Sequence, residues 1–164
     1  MKKLLIATAI LACVWSCARP THTDPSNRVS YTDDGSVSEQ LIYAIREVET
    51  GHHPDPPDGD NGTSIGPYQI TYGCWADVTD RYDDVPGQWA PTGPGQPQTC
   101  ARDDYSQKIV KRYLAIYATQ DRLGRPPTDE DRARIWNGGP NGYKKKATES
   151  YWDKIVEAMK KEAK

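Results

Sequence analysis

The residues best placed to do chemistry are two carboxylates in unlike surroundings, Glu49 and Asp60, separated by a proline-rich loop. Leu41, Ile42, Ile45 and Val48 recur at helical spacing, and Glu49 falls on or beside that apolar stripe. A carboxyl on the greasy edge of a helix is costly to ionise, so it keeps its proton towards neutral pH. Its place at the negative end of the helix dipole acts in the same direction. Asp60 lies instead in the polar run Asp58-Gly59-Asp60-Asn61-Gly62, where ionisation costs little. A protonated carboxyl facing an ionised one is the pair that cleaves a glycosidic bond: Glu49 protonates the leaving oxygen, and Asp60 attacks or stabilises the anomeric carbon. Asp58 is the alternative second carboxylate. The plain alternative for Glu49 is a surface glutamate near a helix end.

The elements that must hold this pair are mostly helices. Ser36 and Glu39 have the Ser-x-x-Glu spacing of a capping box and predict the start of the first helix, which Gly51 ends, with Arg46 and Glu47 turned more to solvent. Residues 52–65 cannot be helical, because Pro54, Pro56 and Pro57 exclude it, and a short hairpin around Gly59–Gly62 is expected. Gly66-Pro67-Tyr68-Gln69-Ile70 then returns the chain to ordered structure. The cluster His52, His53, Asp55, Asp58 and Asp60 does not match a calcium loop, since Gly62 falls where an oxygen ligand is required. Neither a metal nor another cofactor is expected. Tyr72, Trp75 and Trp89 follow among Gly and Pro, with a Pro/Gly/Gln-rich excursion over 86–98. A long helix over 103–120 presents Ile109, Val110, Tyr113, Leu114 and Tyr117. Thr128 and Asp131 open a shorter helix carrying Ala133, Ile135 and Trp136, which halts at Asn137-Gly138-Gly139-Pro140. A last helix over 149–161 offers Trp152, Ile155, Val156 and Met159 to the core.

At 164 residues there is room for one sizeable core, built without phenylalanine. Residues 1–18 read as an export signal: Lys2 and Lys3, an apolar run from Leu4 to Trp15, then small residues, in a stretch too short for a membrane span of ~20 residues. Two readings of its end stand side by side: cleavage after Ala18, or lipidation at Cys17 (or Cys13), giving a membrane-anchored lipoprotein. Residues 19–35 form a polar tether and 36–164 the catalytic domain. A leader with two lysines and no acids takes the net charge from −2 to −4 on removal, which speaks against nucleic acid as a partner. Cys74 and Cys100 remain, and in an exported protein one disulfide between them is expected. The chain is expected to be a monomer, periplasmic or extracellular.

Three stretches together resemble the invertebrate-type (destabilase-like) lysozyme family and its bacterial members. They are Val48-Glu49-Thr50-Gly51; Gly66-Pro67-Tyr68-Gln69-Ile70 with Trp75-Ala76-Asp77; and Ala133 through Gly142 with Thr148, Tyr151 and Trp152. Val110, Tyr113, Leu114 and Tyr117 also fit. The resemblance implies an α+β, mostly α, lysozyme-like fold with a small β-hairpin beside the catalytic helix. It implies hydrolysis of the β-1,4 bond between N-acetylmuramic acid and N-acetylglucosamine in peptidoglycan glycan strands. Glu49 matches the family's acid and Asp60 best matches its second carboxylate. Tyr68, Gln69, Asn137 and Gly138 become cleft wall by analogy, and Tyr68, Tyr72, Trp75 and Trp136 are candidates to stack on sugar rings. Two departures stand out: the family's dense disulfides are absent, and its histidine before Asn-Gly-Gly-Pro is Trp136, which argues against peptidase activity. Alternatives are a lytic transglycosylase, which needs only the glutamate, and a non-catalytic wall-binding lipoprotein.

Overall fold

The computed structural model describes residues 28–32, 35–90 and 99–162. The proposed leader, its cysteines, most of the tether and the heart of the 86–98 excursion lie outside the described residues. Among the described residues, no helix is long and apolar enough to cross a membrane.

Helix α1 (Glu39–Thr50) is capped by Ser38, whose side chain accepts the Leu41 amide at 3.1 Å. The cap is therefore two residues later than Ser36. The shift has a reason: Val37 is 4% exposed and Ile42 2%, so the positions flanking the cap join the core, as in a hydrophobic staple. Glu39, now the first helical residue, accepts from Lys111 and Gln107 instead of closing a capping box. Arg46 reaches Asp103 at 3.1 Å, and both Arg46 and Glu47 are half-buried. Gly51 ends the helix in the left-handed region, where glycine carries no steric cost.

The predicted hairpin exists, but its turn is elsewhere. Strand β1 (Ser64–Ile65) pairs antiparallel with β2 (Ile70–Thr71), so Gly66-Pro67-Tyr68-Gln69 is itself the turn. Asp60–Gly62 forms a 3-10 turn just before it, closed by a bridge between Gly59 and Ser64. Helix α2 (Tyr72–Arg81) follows at once, with the Thr71 hydroxyl accepting the Cys74 amide at 3.3 Å. No helix was expected here, because α2 fully buries only Val78 and carries Gly73 in its first turn.

Helix α3 (Asp103–Tyr117) is followed by a short α4 (Gln120–Leu123), capped by Thr119 and ended by Gly124. Helix α5 (Asp129–Gly138) opens on the reciprocal Thr128/Asp131 capping box, and α6 (Glu149–Glu162) closes the domain. α6 lies along α1 and α5, while α3 joins α2 to α5. Their common core includes Leu41 and Ile45 from α1, Ile109 and Val110 from α3, Ile135 from α5 and Ile155 from α6, all at 0% exposure. Each such side chain contributes roughly 1.5–3 kcal/mol on burial. The buried stripe of α6 is Tyr151, Ile155 and Ala158, whereas Trp152 and Met159 are only partly covered and Val156 lies outside the core. Of the expected face of Trp152, Ile155, Val156 and Met159, Ile155 is fully buried as expected, and the stripe is rotated so that Tyr151 and Ala158 flank it instead.

Cys74 and Cys100 are free thiols, so the expected disulfide is not formed. Burial pushes both thiols above their ordinary range, and Cys100 adds to the effect on Cys74. Bridging proceeds through a thiolate, the species these surroundings disfavour.

Candidate active site

Glu49 is the penultimate residue of α1, and its carboxyl is closed in from α5 and α6. The Tyr151 hydroxyl donates to Glu49 Oε1 at 2.7 Å, and the Trp136 indole N–H is a second donor. Burial lifts the Glu49 pKa above the carboxylate range. The two donors and Lys154 of α6 oppose that rise, while the negative charge of Asp60 reinforces it. The net effect is a carboxyl that holds its proton in conditions where a free glutamate would have lost it. Trp136 is in turn fixed by Tyr113, edge-to-face at 5.8 Å between ring centroids.

Asp60 stands on the loop opposite and is exposed. Its backbone lies in the left-handed region, φ +48°, as does that of Asn61 at +57°. The loop is braced from below by Gln69. Gln69 Nε2 donates to the Pro57 carbonyl at 3.3 Å and the Gly66 carbonyl at 3.0 Å, while its Oε1 accepts from Ser64 Oγ at 3.2 Å. Ser64 Oγ also reaches Asp60 Oδ2 at 3.4 Å. A Cβ added at Gly59 would meet the Gln69 amide oxygen and Ser64 Oγ, so those two side chains would have to shift to admit it. At the other end of the turn, Thr50 Oγ1 donates to the Pro67 carbonyl at 2.9 Å, tying the end of α1 to the hairpin. Both carboxylate-bearing segments are therefore fastened to one four-residue turn.

Between them opens a cleft of about 300 Å3, lined among others by Glu49, Asp60, Gln69, Asp77, Trp136 and Asn137. A larger groove of about 580 Å3 runs past Tyr72, Trp75 and Tyr82. Size would choose the groove, but the smaller cleft is the one that holds a shielded carboxyl beside an ionisable partner. Of the expected site residues, Glu49, Asp60, Gln69 and Asn137 meet in this cleft. Asp58 is exposed and does not line it. Tyr68 is only 2% exposed and belongs to the core, where burial raises its phenol pKa, so it cannot present a ring to a ligand. Gly138 packs against Thr148, its carbonyl accepting from Lys145 Nζ at 2.6 Å, and the cleft is reached by Gly139 instead.

Two site residues, Tyr151 and Asp77, belong to the stretches that carry the resemblance but have no role assigned from sequence. Tyr151 stands outside the expected apolar face of the last helix, although its spacing to Ile155 and Ala158 marks the buried stripe. Asp77 is a third carboxylate in the cleft, held by the Tyr117 hydroxyl at 2.8 Å on Oδ2. Without α2 in hand, no spacing rule could have turned Asp77 towards the site.

A mostly helical domain with a two-stranded hairpin beside a helix ending on a shielded glutamate is a lysozyme-like fold. Solved structures agree. The lysozyme of Meretrix lusoria in complex with Aeromonas hydrophila PliI superposes with a TM-score of 0.57 at 28% identity, covering 75% of this chain and 91% of that one. An inhibitor-bound structure of the Meretrix lusoria lysozyme gives 0.55 at 29%, with the same coverage. Residues 38–158 match the Destabilase family, and the chain belongs to it. Among curated relatives, Lysozyme 1 of Crassostrea virginica is 36% identical over 132 residues, covering 79% of this chain. The matched region spans 64% of that relative's length. The lysozyme of Meretrix lusoria is 32% identical over 124 residues, covering 74% of this chain and 89% of the relative.

Proposed function

We propose that this protein is a lysozyme, a glycoside hydrolase acting on the β-1,4 bond between N-acetylmuramic acid and N-acetylglucosamine. The observation that carries the reading is the shielded Glu49 carboxyl sharing one cleft with Asp60. Glu49 donates its proton to the glycosidic oxygen as the bond from that oxygen to the anomeric carbon breaks. Asp60 compensates the positive charge that develops on the sugar, by attack or by electrostatic stabilisation. A water then adds to the anomeric carbon and returns its proton to Glu49, restoring the starting state. The Asn137 amide and the Asp77 carboxylate, both lining the same cleft, suit sugar hydroxyl and acetamido groups. The family membership and the lysozyme relatives support the same activity.

The wider reading is an exported monomer whose residues 36–164 form the catalytic domain, preceded by a leader that is either cleaved or lipidated at Cys17. The test is lysis of purified peptidoglycan in a zymogram by wild type and by Glu49→Gln, with product masses recorded. Wild type should release reducing-end muropeptides and the variant none. A fully lytic Glu49→Gln protein sinks the assignment, and 1,6-anhydro products would mean a transglycosylase instead.

A further inference from the structure

The grip on Glu49 from α6 has a consequence for catalysis, given the role of Glu49 proposed above. Tyr151 is 7% exposed and its hydroxyl donates to Glu49 Oε1 across 102 residues of chain. A bond from so short a distance, made by a side chain locked in the core, fixes the rotation of the carboxyl group. It also occupies Oε1 as an acceptor whether or not the acid is protonated. A carboxylic acid carries its proton on one oxygen, so the transferable proton is left to Oε2. As that proton departs, negative charge grows on the carboxyl and the Tyr151 bond strengthens, since hydrogen bonds to an ionised acceptor are about twice as strong as neutral ones.

We infer that Tyr151 is a positioning residue for the reaction: it directs the Glu49 proton to Oε2 and stabilises the carboxylate formed on proton transfer. Burial holds the proton in the resting enzyme, and Tyr151 makes it releasable at the moment the glycosidic oxygen takes it. The other groups that face Glu49 divide the remaining electrostatics. Trp136 of α5 donates to it, Lys154 of α6 favours its charge, and Asp60 of the facing loop opposes it.

The test uses Tyr151→Phe on soluble peptidoglycan fragments, with kcat and KM measured across pH. The expected result is a fall in kcat of roughly tenfold or more with KM unchanged, from the loss of a hydrogen bond to a charged group. The basic limb of the profile should move to higher pH, because the carboxylate has lost a donor. An unmoved limb with unchanged kcat, or a loss confined to KM, overturns the inference. A readout independent of turnover is 13C NMR of the carboxyl carbon of Glu49, which should titrate at higher pH in the variant. In the wild-type protein, the Tyr151 ring carbon bearing the hydroxyl should report the same midpoint as that carboxyl. Separate midpoints overturn the coupling even if the variant fails to fold. Because the NMR titrations need no activity, they separate failure here from failure of the lysozyme reading, which Glu49→Gln decides.

Discussion

Gly66 is where the hairpin that holds both carboxylate segments is most exposed to a single methyl group. Its φ is +75°, and a Cβ built there runs into the carbonyl oxygen of Cys100 and close to the Ala101 backbone. Placing an L-residue in the left-handed region costs about 1–2 kcal/mol. Overpacking adds about 1–3 kcal/mol, and here the obstacle is main chain, which cannot rotate aside. Gly66→Ala should therefore lose about 2–5 kcal/mol, out of a total stability of about 5–15 kcal/mol. Gly124→Ala is the matched control, with φ +73° and nothing within 4 Å of the added carbon. It carries the conformational cost alone. Urea unfolding of both variants, compared at their midpoints with unchanged slope, isolates the steric difference. Relief of the clash also has to move the turn, and with it Gln69 and the loop bearing Asp60, so Gly66→Ala should lose lysis at temperatures where it remains folded. Equal destabilisation of the two variants, within about 0.5 kcal/mol, would refute this account of the turn.

Other consequences follow from the same geometry. Gln69→Ala removes the donor to Pro57 and Gly66 and the acceptor for Ser64. A drift of the Asp60 carboxylate by ~1 Å should lower turnover on the order of 100-fold, measured with soluble fragments, while the melting temperature changes little. Glu49 has a raised pKa in the fold, so the native state binds its proton more tightly than the unfolded chain does. Its ionisation penalty is absent below the ordinary carboxylate range and complete once pH exceeds the raised value. Glu49→Gln should thus gain stability relative to wild type between pH 4 and pH 7, and thermal melts at the two pH values check the sign. Asp84 is the reverse case. The Arg112 guanidinium, itself buried and stacked over Tyr31, holds its carboxyl below the usual range. That contribution is present above the unfolded value and lost as pH falls through the folded one. Asp84→Asn should accordingly destabilise at pH 7 and converge with wild type as pH falls below the ordinary carboxylate range, followed by chemical denaturation.

Local chemistry made much of this protein legible without coordinates. Apolar residues at helical spacing marked α1, α3 and α5, the Thr128/Asp131 pair marked a helix start, and Gly51 marked a helix end, because each signal is complete within a few residues. The same stripe placed Glu49 on a buried edge, which is why its protonation could be reasoned from sequence. Three features required the assembled fold. Whether Tyr68 faces a ligand or the core depends on what covers the hairpin turn. Helix α2, with Val78 as its one fully buried residue, is sustained by the surfaces around it, and with it comes Asp77. The hydroxyl that reaches Glu49 arrives from α6, on the far side of the sequence. Periodicity reports which face of a helix is apolar, but a one-residue rotation about the axis decides between Tyr151 and Trp152. That rotation is set by packing against α1 and α5, a balance of contacts between segments that no single stretch of the chain contains.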